Sequence, residues 1–243
     1  MSLSNRNPQT PGGAAVRLGL GAWVAVVALG CGGPGGSGDA STPFGKQVLA
    51  VRDKRADRIE AETPPSATEW ESLRGLAGLR VVVLQRGVAG DTEAAILATL
   101  PDLERLVLRQ SPLADTGFAA LAGCRSLADL NVPQAACTPA GIERLAAVPT
   151  LKSLRLGGAN LKGPDVARAI ATLPGLTSLH LIDVAIGDDG LDALAQAAKL
   201  QNLYLDGAGV SDAAWKRYFE ARPGVHVHVD QAHHDRDPRR DHE

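Results

Sequence analysis

Aromatic residues make up only 3% of the 243-residue chain, so bulky rings cannot carry its core. Hydrophobics still reach 44%, and leucine and alanine supply them. Three cysteines, Cys31, Cys124 and Cys137, are too few for a disulfide framework. A formal net charge of −2 gives no basic face for nucleic acid, and no nucleic-acid partner is expected. The longest apolar run, Leu18 to Gly30, has 13 residues. That is short of the roughly 20 needed to span a bilayer. Enzyme signatures are missing too: there is no G-x-S-x-G, no Walker A loop and no H-E-x-x-H. Two frames match G-x-G-x-x-G, beginning at Gly30 and Gly33, but no strand precedes them and no helix follows. The chain is therefore not expected to be an enzyme, and no cofactor is expected.

What the chain has instead is periodicity. Leu79, Leu103, Leu127, Leu151, Leu176 and Leu200 recur at spacings of 24, 24, 24, 25 and 24 residues. Each opens a copy of the form L-x-x-[L/V]-x-[L/V], for example Leu103-Leu106-Leu108 and Leu151-Leu154-Leu156. A small-residue turn and an apolar helical stretch follow. A degenerate copy, Ala56-Ile59-Ala61, precedes the series, and a half copy, Val225 to Val229, follows it. Period-two alternation predicts a strand at each opening, with positions 4 and 6 inward, and a 3.6-residue period then predicts a helix. Asp91, Asp115, Asp188 and Asp212 occupy position 13, where a carboxylate can accept from free N–H groups at a helix start. Thr138-Pro139 takes that place in the copy at Leu127. Cys124 and Cys137 fall on apolar positions near opposite ends of a helix, which favours two buried thiols over a disulfide.

Self-similarity at this period and pattern resembles the leucine-rich repeat family, over about three quarters of the chain. The resemblance implies an α/β, right-handed solenoid: a parallel concave sheet of about seven strands, with helices on the convex side. It also implies binding rather than catalysis. The copies depart from the commoner forms, because position 9 (Gly87, Ser111, Ala135, Ala159, Val184, Ala208) carries no Asn ladder. They look more like short bacterial repeats with D-x-G-L at the helix start, as in Asp188 to Leu191.

The N-terminus points to export. Val27-Ala28-Leu29-Gly30-Cys31 closes the apolar run and resembles a bacterial lipobox. That resemblance implies cleavage after Gly30 and lipid attachment at Cys31. An ordinary secretory peptide with a chance cysteine is the competing reading. The expected layout is a signal peptide at 1–30, a flexible Gly/Ser/Pro-rich tether at 31–45 and the solenoid at 46–230. A disordered charged tail is expected at 231–243. Lys46 to Val51 is expected to be a capping strand. Residue 32 is Gly rather than the Asp that commonly retains lipoproteins in the inner membrane. In a two-membrane cell this favours the outer membrane or the periplasmic side of the envelope.

Positions 3, 5 and 7 should tile the outward face of the sheet. Its C-terminal third is the richest in chemistry. His180, Tyr204 and His228 fall in one row, flanked by Asn202, Asp206, His226 and Asp230. These residues are the candidate surface for an unidentified protein partner. A structural role in the envelope, or a metal or small ligand on the His/Tyr/Asp patch, is the alternative. His226 and His228 project together, and His233, His234 and Asp235 follow. No cysteine pairs with them, so no specific metal site is assigned. Val81, Val83 and Val107 form an apolar patch at the other end, open to a partner or covered by the cap.

Overall fold

The computed structural model describes residues 39–86 and 89–239. The expected signal segment, the lipid-bearing Cys31 and most of the tether lie outside the described residues. After an N-terminal helix α1 (Pro43–Arg52), strand and helix alternate. The series runs β1 (Arg58–Ala61), α2 (Ala67–Ser72), β2 (Val81–Leu84), α3 (Asp91–Leu97), β3 (Arg105–Leu108) and α4 (Asp115–Leu121). It continues with β4 (Asp129–Val132), α5 (Pro139–Arg144), β5 (Ser153–Gly157), α6 (Pro164–Ala171), β6 (Ser178–Ile182) and α7 (Gly187–Leu194). It ends with β7 (Asn202–Leu205), α8 (Asp212–Ala221), β8 (His226–Val229) and β9 (Ala232–His233).

The strands form one open sheet in strict chain order, β1 to β9. The first eight are parallel and β9 is antiparallel to β8. This is the leucine-rich-repeat solenoid. Its nine strands, against about seven expected, are those of the six leucine-opened copies, the degenerate first copy (β1), the last half copy (β8) and the tail (β9).

Register explains the core. Leu106 lies opposite Leu130, Leu130 opposite Leu154, Leu154 opposite Leu179 and Leu179 opposite Leu203. Each inward leucine therefore stacks on its equivalent in the next copy. The six opening leucines are buried as well. Burying a leucine contributes roughly 1.5–3 kcal/mol, and each copy contributes several. The copy opened by Leu151 carries the extra residue, Gly163, immediately before Pro164. Gly163 takes the left-handed φ of 77° that turns the chain into α6, and this absorbs the insertion outside the sheet.

The position-13 aspartates do not cap their own helices. Asp91, Asp115 and Asp212 already lie inside their helices, at the first residue. The carboxylates of Asp91, Asp115 and Asp188 reach one copy onward. Asp91 accepts from Ala114 N (3.0 Å) and from the Thr116 hydroxyl. Asp115 accepts from Thr138 N and Oγ1, both at 2.7 Å. Asp188 accepts from Ser211 N (2.8 Å) and Oγ (2.7 Å), and this pair of bonds holds its carboxyl below the ordinary range. Thr138 thus gives its hydroxyl to Asp115 rather than to α5. The glycine at the third residue of α4 and α5, Gly117 and Gly141, has a reason here. A Cβ on Gly141 would stand 3.1 Å from both Cα and Cγ of Asp115 and closer still to its carboxylate oxygen.

Both ends are closed. The expected N-terminal capping strand is instead helix α1, which buries Phe44, Val48 and Val51 against the first copy. The helix begins at Pro43, so the expected tether ends earlier than residue 45. Thr42 caps it by accepting from Gly45 N at 2.9 Å. The exposed edge of β1 is met by one side chain: Gln47 donates to Glu60 O and accepts from Glu60 N, both at 2.8 Å. Its amide substitutes for a neighbouring strand.

Two expectations follow. Gly141→Ala should lower stability by about 1–3 kcal/mol through overpacking, although Gly to Ala inside a helix is ordinarily stabilising. Chemical denaturation measures this, and an increase in stability would show that Asp115 yields without cost. Burial pushes the Cys124 thiol up to about 11 and, with the Asp115 carboxylate nearby, Cys137 up to about 12. Both should resist an aromatic disulfide reagent in the folded chain at pH 8 and react on unfolding. Peptide mapping distinguishes the two, and rapid labelling of either in the native state would contradict the packing.

Candidate functional site

Parallel strands lie about 4.8 Å apart, so equivalent residues of successive copies become lateral neighbours. The structure brings His180, Tyr204 and His228 into one row, as the spacing predicts: His180 lies opposite Tyr204, and Tyr204 opposite His228. The ring centroids are 5.6 Å and 5.0 Å apart along this row. His226, at position 3, meets the Tyr204 ring edge-on at 6.0 Å. All four side chains therefore share one patch on the open face. His226 is the most buried of them.

The flanking polar residues divide. His180 Nε2 lies 2.9 Å from Asp206 Oδ2, a carboxylate on the adjacent copy. Both side chains are a quarter exposed or less, so the pair is held rigidly at the rim of the aromatic row. Asn202 sits in register between Ser178 and His226, and its Oδ1 accepts from Arg239 Nη1 at 3.5 Å. Asp230 does not join the patch. It lies in the turn after β8 with φ of 49°, and its carboxylate accepts from Gly207 N at 2.8 Å. It ties the turn to the preceding copy.

Over residues 231–239 the tail expected to be disordered instead carries defined structure. Asp230 and Gln231, both at positive φ, reverse the chain, and β9 then pairs with β8, His233 lying opposite His228. His234 stacks on Trp215 and Phe219 of α8, with centroids at 4.7 and 5.0 Å. Burial, with Arg236 nearby, lowers the pKa of His234 and favours the neutral ring. Asp237 returns under the hairpin with its side chain fully buried, and accepts from Val227 N and Arg239 N, both at 2.8 Å. Composition made this segment look unfoldable, but its polar groups have specific partners. It acts as the C-terminal cap.

Closure of the cap assembles a cluster. His226 and His228 face each other with Nε2 atoms 3.1 Å apart. The His233 ring lies 4.1 Å from that of His228 and 5.0 Å from that of His226. One nitrogen from each of the three falls within 4.8 Å of the others. Asp237 Oδ2 lies 2.8 Å from His226 Nδ1, off the direction of a good hydrogen bond, and 3.6 Å from His233 Nδ1. Burial acts to raise the Asp237 carboxyl. The two backbone N–H donors and the imidazoles of His226 and His233 outweigh it and hold the group below its ordinary range. His233 appears in the sequence only as part of a polar run, and Asp237 carries no signal of its own. Alternation from His226 to His228 extended across a hairpin turn was the available clue to His233.

At the other end of the face, Val83 and Val107 are buried although they point outward from the sheet. The depression above them is lined by Arg58, Arg105, Arg109 and their neighbours and by no residue of α1. The valines share the lining of this depression with the three arginines, and no residue of the N-terminal helix takes part.

The sequence matches no protein-family model, and comparison with curated proteins returns no match. Among solved structures, the chain is similar to an internalin from Listeria monocytogenes at 14% identity with a TM-score of 0.41. The match covers 77% of this chain and 64% of the internalin chain, so this chain spans less than two thirds of that protein.

Proposed function

We propose that the chain binds another protein through the open face of its sheet, centred on Tyr204. The observation that carries this reading is the row of stacked rings His180, Tyr204 and His228, partly exposed on a rigid sheet. Eight parallel strands at about 4.8 Å spacing present a face roughly 34 Å across, which is the scale of a protein partner. The two depressions on that face hold about 230 and 360 Å³. They lie at or below the lower end of small-molecule pockets, about 300–1,000 Å³. Tyrosine with its neighbours held in place supplies contact area at low entropic cost, as a central anchor requires.

We further propose that the solenoid is displayed from a membrane by lipid on Cys31. The apolar run ending at that cysteine and the Gly/Ser/Pro-rich stretch between it and α1 support this reading. Among the described residues no helix is long and apolar enough to cross a membrane. In a two-membrane cell, Gly32 after Cys31 supports placement at the outer membrane or the periplasmic side of the envelope.

Crosslinking from native membranes should capture a partner at this face. Tyr204→Ala should weaken that complex by about 2 kcal/mol or more and leave the fold intact, because Tyr204 projects from the sheet. Affinity indifferent to Tyr204→Ala would move the interface elsewhere. Cys31→Ser should leave an unprocessed precursor and release the chain from lipid extraction with membranes. Metabolic labelling with a fatty acid reports this directly, and labelling that persists in the variant would exclude the lipobox reading.

A further inference from the structure

We infer that the C-terminal hairpin is a binding site for a divalent transition-metal ion of the zinc class, ligated by His226, His228 and His233 and supported by Asp237. The inference does not rest on the protein-binding reading, although His226 and His228 also border the aromatic row.

Topology places the three imidazoles. His226 and His228 are two apart on β8 and therefore project to the same side. His233 lies opposite His228 in the antiparallel β8–β9 pair, where facing side chains stand about 4.5–5.5 Å apart at Cβ. The hairpin turn thus converts an i, i+2 pair into a triangle. An ion bound at about 2.0–2.1 Å to imidazole nitrogens in tetrahedral geometry holds those nitrogens roughly 3.3 Å apart. The His226 and His228 Nε2 atoms are already 3.1 Å apart, and one ring nitrogen from each of the three histidines lies within 4.8 Å of the others. Small side-chain rotations complete the set.

Electrostatics favours a cation there. Asp237 is fully buried, and among the described residues its ion-pair partners are His226 and His233 alone. A buried carboxylate calls for positive charge beside it. Its Oδ2 stands 2.8 Å from His226 Nδ1, on the opposite side of the ring from the Nε2 that faces His228. This is the carboxylate–histidine arrangement that orients metal-bound imidazoles. Three nitrogen ligands suit zinc, copper or nickel rather than calcium or magnesium. They leave a fourth position of a tetrahedral ion for water or a donor from outside. His234, packed on Trp215 and Phe219, and His180, held by Asp206, lie outside the set.

The test uses the full chain, free of any histidine tag and stripped with chelator, titrated with Zn²⁺ in a calorimeter. We expect saturable uptake of one ion per chain and a rise in the melting temperature. Co²⁺ substituted for Zn²⁺ should give the intense visible absorption of a tetrahedral site. His228→Asn and His233→Ala should each abolish stoichiometric uptake and the thermal shift. Asp237→Asn should weaken binding by about 10–100-fold, as for an outer partner of a metal ligand. Circular dichroism of His228→Asn, whose side chain is partly exposed, keeps loss of binding separate from loss of folding. Several weak equivalents in place of one, or uptake that survives His228→Asn combined with His233→Ala, would overturn the assignment.

Discussion

One-sided burial is the constraint from which the rest of the molecule follows. A single 24-residue copy has an apolar face and nothing of its own to cover it. The face is satisfied only when the next copy lays Leu over Leu in register, as Leu130, Leu154 and Leu179 do. That requirement makes the sheet parallel and keeps strand order equal to chain order. It also turns every outward position into a row running across the molecule. The row of His180, Tyr204 and His228 is a by-product of the same stacking that buries the leucines.

Polar contacts refine what burial dictates. The aspartates at the helix starts bond one copy ahead, so neighbouring copies are joined by hydrogen bonds on the helix side as well as through the sheet. Gly117 and Gly141 are the steric complement of that bond, each making room for a carboxylate, of Asp91 and Asp115, that belongs to another copy. The ends need separate solutions because stacking stops there. At the first edge, one glutamine amide and the apolar face of α1 suffice. At the last edge a two-residue strand, a histidine stacked on α8 and a buried aspartate do the same work.

The C-terminal cap and the aromatic row are contiguous through His226 and His228. Partner binding and ion binding would therefore share a wall, with Tyr204 packed against both imidazoles. An ion at the hairpin would fix the ring orientations of His226 and His228 and so stiffen one side of the row. Preorganisation of this kind lowers the entropic cost of docking.

The repeat period, the inward leucines, the outward row and the buried state of both cysteines were all legible in the sequence. Each depends on spacing, and one copy confirms the next. Reading failed where periodicity stopped. Lys46 to Val51 alternates enough to resemble a strand, but with Phe44 it forms one helical face, and only a core waiting to be covered selects the helix. The aspartates at position 13 have the residue type of a cap, yet their partner is set by the distance between stacked copies, which sequence does not state. Asp230-Gln231 lacks the glycine that announces a tight hairpin turn, so β9 left no local trace. The sequence by itself determined a stack of identical units and which side chains face in or out. Only the tertiary structure decided that a polar tail folds back as a cap and gathers His226, His228 and His233 around Asp237. Burial at a chain end is a property of the surface already built, not of the segment that covers it.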